Sequence, residues 1–354
     1  MTALTDIRAQ MQAADLDALV VSSKPNRTWL TGFHGSAGTV VITPAALYLL
    51  VDFRYIEQAK VQAPAAHTVM YKNLYPTLRE QLTSLGVKRA GFESSHVVHK
   101  MWQRLQNEMP DITWVGVDTW IEAARGCKRP EELAALEKAV VIADQAFAAI
   151  LPAIKPGITE SDLALELEFT LRRLGAERMA FDIITASGVR GALPHGAPTD
   201  KVIERGDLVT LDFGAVWQGY HSDITRTVAV GNVSDKQREI YELVLAAQLA
   251  GIAAVAPGKT GREVDAVARE MIAAAGYGER FGHGLGHGVG LEIHEEYPRL
   301  AATSEVELKP GMVCSVEPGV YIPGWGGVRI EDMVVVTESG CRVLTTSPKE
   351  LLIV

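Results

Sequence analysis

The sequence predicts a chain of α/β (α+β) class with two domains, a smaller α/β domain followed by a larger mixed domain. Three observations support this. The chain has 354 residues, more than one hydrophobic core ordinarily serves. Strand-like and helix-like stretches alternate in its first third. Near Arg125–Pro130 this pattern gives way to long amphipathic helices and then glycine-rich strands, so we place the domains at 1–126 and 127–354.

In the first domain, buried strands are expected at 17–23, 39–43, 46–52 and 89–93, with helices near 4–14, 54–62, 75–85 and 98–108. No glycine-rich phosphate loop follows any of these strands, which argues against nucleotide binding. In the second domain, helices are expected at about 131–152, 159–174, 235–255 and 260–275, with a strand at 181–188. Thr159 and Asp162 resemble a capping box in which Asp replaces Glu.

The composition and charge argue against several classes of protein. Hydrophobic residues at 47% and charged residues at 22% are typical of a soluble globular protein. The net charge is −9 and no Lys/Arg cluster is present, so we expect no nucleic-acid partner. Apolar runs are too short to span a membrane, and the first residues do not form a secretory signal. Three distant cysteines suit a reducing cytoplasm, and Cys314 has the context of a buried structural thiol.

The stretch Val209–Val228 alternates apolar and polar residues on both sides of a break at 217–219, which predicts a β-hairpin. A turn centred between Trp217 and Gln218 places Asp212 opposite Asp223, and a Gln218–Gly219 turn makes them diagonal neighbours. In both registers the two carboxylates share a face, where they repel. A bound cation would offset the repulsion, whereas a solvated face would need none.

The segment Gly282–His294 contains three of the nine histidines. His283 and His287 have the spacing of a helical zinc site, but the interspersed glycines argue against a helix. We therefore expect a loop that enters a strand and lets the backbone approach a ligand or another strand.

Two strands joined across 323–327 carry Glu317 and Glu331 among apolar neighbours. A three- or five-residue loop centred on Gly324 or Trp325 puts both on one face. Buried carboxylates need partners, and a salt bridge from Arg329 could serve one of them but not both. Together with the hairpin, these residues form an oxygen-rich set with enough charge for two divalent cations. Such a pair, about 3.5–4 Å apart, supports metal-assisted hydrolysis of an acyl bond.

The motifs LDFG-(x)8-D, HGLGHGVGLEIHE and EPGVYIPGWGGVRIED resemble the pita-bread metallopeptidases, and within them the Xaa-Pro peptidases, prolidase and aminopeptidase P. The resemblance covers residues 127–354, and the first domain resembles the creatinase-like N-terminal domain of that branch. It implies a creatinase-like α/β domain followed by a pita-bread catalytic domain. It also implies two divalent ions, with Mn²⁺ preferred and Co²⁺ or Zn²⁺ as alternatives, and a homodimer.

The resemblance also assigns roles to residues. The metal ligands would be Asp212, Asp223, His287, Glu317 and Glu331, of which Asp223 and Glu331 would bridge the ions. Glu317 would move the proton, and His195 and His294 would stabilise the developing charge. Residues expected at the substrate are His283, Tyr321, Phe181, Ile293, Arg329 and Arg54, with Arg329 also supporting Glu331.

Three functions remain in competition. The chain length favours an Xaa-Pro dipeptidase, which needs a fixed cation for the carboxylate after proline. Arg54 and Arg27 of the first domain are the candidates for that cation, although either could be a solvated surface arginine. An Xaa-Pro aminopeptidase acting on longer peptides is the alternative. A non-catalytic pita-bread binding module is more remote, because the ligand set is intact.

Overall fold

The computed structural model describes residues 3–354. It divides into two compact units, one that ends at Arg125 and one that spans Gly126–Val354. The boundary expected from the sequence lies one residue further along the chain. Each unit has its own hydrophobic core.

The strands of the first unit are β1 (Ala18–Val21), β2 (Thr39–Ile42), β3 (Leu47–Asp52), β4 (His67–Tyr71), β5 (Arg89–Glu93) and β6 (Thr113–Val117). They form one sheet in the order β4-β3-β2-β1-β5-β6. The helices are α1 (Ala3–Ala13), α2 (Lys24–Thr31), α3 (Ile56–Gln62), α4 (Leu74–Ser84), α5 (His99–Glu108) and α6 (Trp120–Gly126). β4 and β6 were not expected from the sequence, because both are edge strands and exposed residues interrupt their apolar pattern.

The second unit contains four long helices, as expected: α7 (Pro130–Ile150), α8 (Glu160–Arg173), α9 (Asp235–Ala254) and α10 (Gly261–Ala274). Thr159 caps α8 by accepting a hydrogen bond from Asp162 N. In return, the Thr159 hydroxyl donates to Asp162 Oδ2 at 2.8 Å. Asp is one methylene too short for the full capping box, which Glu263 does form with Thr260 at the start of α10.

The first strands of this unit are β7 (Arg178–Met179), β8 (Ile184–Ser187), β9 (Leu208–Phe213), β10 (Ala215–Trp217), β11 (Tyr220–His221) and β12 (Ile224–Ala229). Gln218 and Gly219, at φ 49° and 81°, form the two-residue turn between β10 and β11. The ladder pairs Asp212 with Thr225, so Asp223 is the diagonal neighbour of Asp212. Of the two registers that the sequence allowed, the Gln218–Gly219 turn is the one that forms.

The later strands are β13 (Gly286–Gly288), β14 (Glu295–Leu300), β15 (Val313–Val316), β16 (Gly319–Ile322), β17 (Gly326–Arg329), β18 (Asp332–Val336) and β19 (Cys341–Val343). β15 pairs with β18, and β16 pairs with β17, in one continuous register. This register places Glu317 opposite Glu331. A three-residue turn centred on Gly324, at φ 78°, closes the hairpin and confirms one of the two expected loops.

Two apolar cores attach the helices to these strands. Residues of α7 and α8 pack on β9 and β12, and residues of α9 and α10 pack on β15 and β18. Cys314 is fully buried in the second of these cores, as expected for a structural thiol. Burial raises the pKa of its thiol to about 12. No helix within residues 3–354 is both long and apolar enough to cross a bilayer.

A buried ionic hub ties β18 to β12 and to the C-terminal segment. Asp332 accepts hydrogen bonds from Arg226 Nη2 (2.8 Å), Gln248 Nε2 (2.9 Å), Thr345 Oγ1 (2.6 Å) and Lys349 Nζ (2.7 Å). Burial alone would raise the pKa of this carboxyl. The charges of Arg226 and Lys349 outweigh burial and hold the pKa below its ordinary value.

We predict that Asp332→Asn lowers the free energy of unfolding by about 3 kcal/mol at pH 7, because Arg226 keeps a buried charge without its counter-ion. A carboxyl whose pKa is lowered by folding stabilises the protein above pH about 4, and this contribution disappears as the pH falls. The difference between wild type and variant in urea unfolding should therefore shrink towards pH about 3. Glu338→Gln, an exposed carboxylate, is the control. An equal difference in the free energy of unfolding at both pH values would show that the charge of Asp332 does not stabilise the fold.

Candidate functional site

A cavity of about 740 Å³ lies in the second unit. Its wall includes residues of the Asp212–Asp223 hairpin and of the strands around Glu317 and Glu331. Most of the residues selected from the sequence line it: Phe181, His195, Asp212, Asp223, His283, His287, Ile293, His294, Glu317, Arg329 and Glu331.

A tight cluster of ionisable groups forms one part of this wall. Ligand atoms of Asp223, His287 and Glu331 all lie within 4.8 Å of one another. His287 Nε2 is 3.5 Å from Asp223 Oδ2 and 3.2 Å from Glu317 Oε1. Asp212 shares the ladder face of Asp223 on the neighbouring strand. Three separate segments of the chain thus bring the five residues together.

His287 is held by its own short strand. Its backbone N–H donates to Ser315 Oγ (3.1 Å), and its Nδ1 lies 3.1 Å from Gly288 O. Ser315 Oγ also donates to Glu317 Oε1 at 3.0 Å. A Cβ on Gly286 would lie 2.0 Å from Ser315 O, so β13 can approach β15 only with glycine there. With Nδ1 facing Gly288 O, Nε2 is the ring nitrogen that faces Asp223 and Glu317. When protonated it donates to Glu317, and when unprotonated it offers its lone pair to a cation.

Arg329 joins the two halves of the carboxylate set. Its Nη2 donates to Asp212 Oδ2 (2.7 Å), its Nη1 to the Tyr321 hydroxyl (2.9 Å) and its Nε to Thr225 Oγ1 (3.0 Å). Thr225 in turn donates to Glu331 Oε2 at 2.7 Å. The salt bridge that Arg329 could have made with one of the two glutamates therefore forms with Asp212 instead. Arg329 reaches Glu331 only through the Thr225 hydroxyl.

The carboxylates are buried close to one another. Burial, followed by the neighbouring carboxylates, raises the pKa of Asp223 and of Glu331 well above the ordinary values. Burial also acts on Glu317, but the hydrogen bond and charge of His287 outweigh it and lower its pKa to about 2. Burial also raises the pKa of Asp212. The cluster therefore combines three carboxyls that resist ionisation with one that is readily ionised.

These residues fit a divalent cation. Asp212 Oδ1 and Glu331 Oε1 are buried without a hydrogen-bond partner among the described residues. A buried carboxylate oxygen in that condition is costly unless a cation binds it. The donor set consists of carboxylate oxygens and one imidazole nitrogen, which Mn²⁺, Co²⁺ and Zn²⁺ all accept.

Three residues selected from the sequence, Tyr321, Arg54 and Arg27, are not among the residues that line the cavity. Tyr321 is buried behind the wall, where its hydroxyl is 2.9 Å from His283 Nε2 and from Arg329 Nη1. Arg54 lies in the first unit, where its exposed side chain pairs with Asp52 at 2.7 Å. Arg27 is buried and donates to the backbone oxygens of residues 35 and 38, so its candidacy as a substrate contact is wrong.

Two further residues of the site, Thr225 and Arg299, were not expected from the sequence. Thr225 could have been found, because it follows Asp223 by two positions and therefore shares its face. Arg299 lines the cavity with an exposed side chain and pairs directly with His287 across β13 and β14. That ladder contains a register shift after His287, so no sequence pattern indicates the pairing.

Comparison with known proteins identifies the family. Residues 134–338 match the model of metallopeptidase family M24, and residues 4–127 match that of the creatinase/prolidase N-terminal domain. The chain belongs to metallopeptidase family M24. As a member of this family, it is an enzyme that works with divalent metal ions. The predicted creatinase-like domain followed by a pita-bread domain is confirmed.

Relatives cover the whole length of this M24 chain. An Xaa-Pro dipeptidase of Pyrococcus horikoshii is 41% identical over 97% of this chain and 96% of its own. The structure of an Xaa-Pro dipeptidase from Bacillus anthracis matches with a TM-score of 0.97 at 45% identity. That of an X-Pro aminopeptidase from Thermotoga maritima matches with 0.92 at 36% identity. Both structural comparisons cover 99% of each chain.

We predict opposite effects of Asp223→Asn on this M24 enzyme with and without metal. Because folding raises the pKa of Asp223, its ionised form costs stability at pH 7. The variant should therefore melt about 2–4 °C higher than wild type after chelation. Mn²⁺ at about 100 times its Kd should stabilise wild type by about 2.7 kcal/mol and the variant by much less.

Differential scanning fluorimetry with and without Mn²⁺ measures both effects. Asp118→Asn, which removes an exposed carboxylate from the first unit, is the control and should behave as wild type. An Asp223→Asn variant with an undiminished Mn²⁺ shift would rule out Asp223 as a ligand.

Proposed function

We propose that this enzyme is an Xaa-Pro dipeptidase, a prolidase that hydrolyses the bond before proline in short peptides. The observation that carries the proposal is Arg299, a cation on the cavity wall directly beside His287. A dipeptide has its carboxylate immediately after proline, within one residue of the reacting bond. The names of the full-length relatives support the same activity.

We propose that Asp212, Asp223, His287, Glu317 and Glu331 would hold two divalent ions. Mn²⁺ is proposed ahead of Co²⁺ and Zn²⁺ because oxygen donors dominate the set. When bound, the ions supply a nucleophile at neutral pH and polarise the substrate carbonyl. Arg329 then serves as a positioning residue for Asp212, since each of its nitrogens already has a protein partner.

The protein groups around the reacting bond have separate tasks. Glu317 takes the proton of the attacking water and passes it to the proline nitrogen as the bond breaks. Ser315 and His287 fix the orientation of its carboxylate. His195 and His294 donate hydrogen bonds to the carbonyl oxygen as negative charge develops there. Burial lowers the pKa of His294, so its ring is neutral and keeps one N–H for this purpose.

The remaining wall recognises the ends of the substrate. Phe181 and Ile293, both on the cavity wall, pack on the proline ring. His283 lines the wall beside them and is supported from behind by Tyr321. Arg299 binds the carboxylate that follows the ring. Arg54 stays a candidate for a further contact from the first unit.

The likeness to an X-Pro aminopeptidase structure keeps a second function open, namely cleavage of longer Xaa-Pro peptides. An enzyme of that type must leave the far side of proline free. In a dipeptidase Arg299 binds the substrate carboxylate, whereas an aminopeptidase does not need this contact. A substitution of Arg299 therefore distinguishes the two functions.

We predict that the enzyme prefers an Xaa-Pro dipeptide to the matching Xaa-Pro-Xaa tripeptide. Arg299→Met should raise KM for the dipeptide about 10–100-fold, the value of one charge-assisted hydrogen bond, and leave the tripeptide almost unchanged. Steady-state kinetics on both substrates gives the answer. Arg262→Met, which removes a surface arginine paired with Glu305, is the control. A wild-type preference for the tripeptide would favour the aminopeptidase.

We also propose a cytoplasmic homodimer. The three cysteines are all free in the structure, which suits a reducing compartment, and the dimer follows from the resemblance to the Xaa-Pro peptidases. Sedimentation velocity at micromolar concentration should give about twice the 38.3 kDa chain mass. A single species at the chain mass would exclude the dimer.

A further inference from the structure

The segment Gly290–His294 carries two cavity residues but has no regular structure of its own. Ile293 and His294 both line the cavity, and the strand β14 begins only at Glu295. The His294 ring centroid lies 4.3 Å from that of His287, so a small movement of the segment changes their geometry. The contacts that fix this segment therefore also fix the positions of Ile293 and His294 in the cavity wall.

A buried ion pair spans the segment. Lys128 Nζ lies 3.1 Å from Glu295 Oε2, and the two side chains are only 1% and 3% exposed. The other oxygen, Glu295 Oε1, accepts the backbone N–H of Leu291 at 2.9 Å. One carboxylate thus connects the start of the segment with its end. Lys128 also donates to Gly126 O at 3.3 Å, which anchors the pair to the first residues of the second unit.

Gly290 shows how closely the pair approaches the backbone. A Cβ at this position would lie 2.3 Å from Glu295 Oε1 and 3.0 Å from Lys128 Cε, so a larger residue would have to displace the ion pair. From another direction, His221 donates its backbone N–H to Gly290 O at 2.8 Å, and His221 Nδ1 lies 3.0 Å from the same oxygen. The beginning of the segment is therefore clamped by side-chain and backbone groups together.

The charge of Lys128 stabilises this arrangement. Removing one partner of a buried ion pair leaves the other charge less compensated and is strongly destabilising. Without Lys128 the Glu295 carboxylate is held less firmly, so its bond to Leu291 weakens and the segment loosens next to His294.

We propose that Lys128 and Glu295 are positioning residues that hold Gly290–His294 in the geometry required for binding and turnover of the substrate. The kinetic consequence rests on the proposed dipeptidase function. The structural consequence, which is loss of order in residues 290–294, is independent of that function.

Lys128→Met removes the cation and keeps a side chain of similar length. Amide hydrogen exchange, measured by mass spectrometry on a peptide that covers residues 290–295, should speed up about tenfold or more. The kcat/KM for an Xaa-Pro dipeptide should fall between about tenfold and a hundredfold, as expected for a displaced cavity residue. Bound metal per chain should stay at the wild-type value, because neither residue belongs to the proposed ligand set.

Arg129→Met is the matched control. Arg129 is the next residue, and its Nε pairs with Glu132, whose side chain is also 3% exposed, at 2.8 Å. It therefore also removes a cation from a buried carboxylate and should lower stability, but exchange in 290–295 and kcat/KM should not change. The double variant Lys128→Met/Glu295→Gln removes both charges and keeps an acceptor for Leu291. It should recover most of the protection and activity.

If Lys128→Met only lowers the melting temperature, with exchange and kinetics like those of Arg129→Met, the pair is purely structural and the proposal is overturned. If Lys128→Met does not fold, Glu295→Gln and the double variant provide the same comparison. Loss of protection in an enzyme whose wild type does not cleave Xaa-Pro dipeptides would support the positioning role and reject the dipeptidase function.

Discussion

The constraint on which the second unit depends is the burial of several carboxylates around one cavity. Asp212, Asp223, Glu317 and Glu331 share this space with the buried guanidinium of Arg329. Water cannot solvate them fully, and like charges at such distances raise each other's pKa. A polypeptide tolerates this arrangement only if rigid elements hold the groups in place and cations complete the charge balance. The pita-bread fold provides the rigid elements, and the M24 chemistry uses the cations.

The rigidity comes from paired strands rather than from loops. Asp212 and Asp223 are diagonal neighbours on one ladder, and Glu317 lies opposite Glu331 on another. Helix pairs cover the outer faces of both ladders and prevent the strands from separating. Hydroxyl groups of Thr225 and Ser315 then orient individual oxygens. Orientation is thus determined mainly by uncharged groups, which add no further charge to balance.

The two histidines proposed to contact the substrate carbonyl, His195 and His294, lie on irregular segments, and a buried carboxylate anchors each segment. Glu160, fully buried, accepts hydrogen bonds from Ser187, Arg190 and Thr199 and so holds both ends of the loop that carries His195. Glu295 does the same for the segment that carries His294. Irregular backbone can present a histidine to a ligand, but its position must be fixed by such internal anchors.

The sequence by itself determined the two-domain α/β organisation, the four long helices and the ligand candidates. Strand periodicity and the apolar sequence context of the acidic residues are local features, so they can be read without knowing the fold. Only the tertiary structure decided that Arg329 pairs with Asp212, that Arg27 is internal and that Arg299 stands beside His287. Each of these depends on which strands become neighbours and in which register. The register between β13 and β14 includes an irregular step, and side-chain contacts across it have no periodic signal in the sequence.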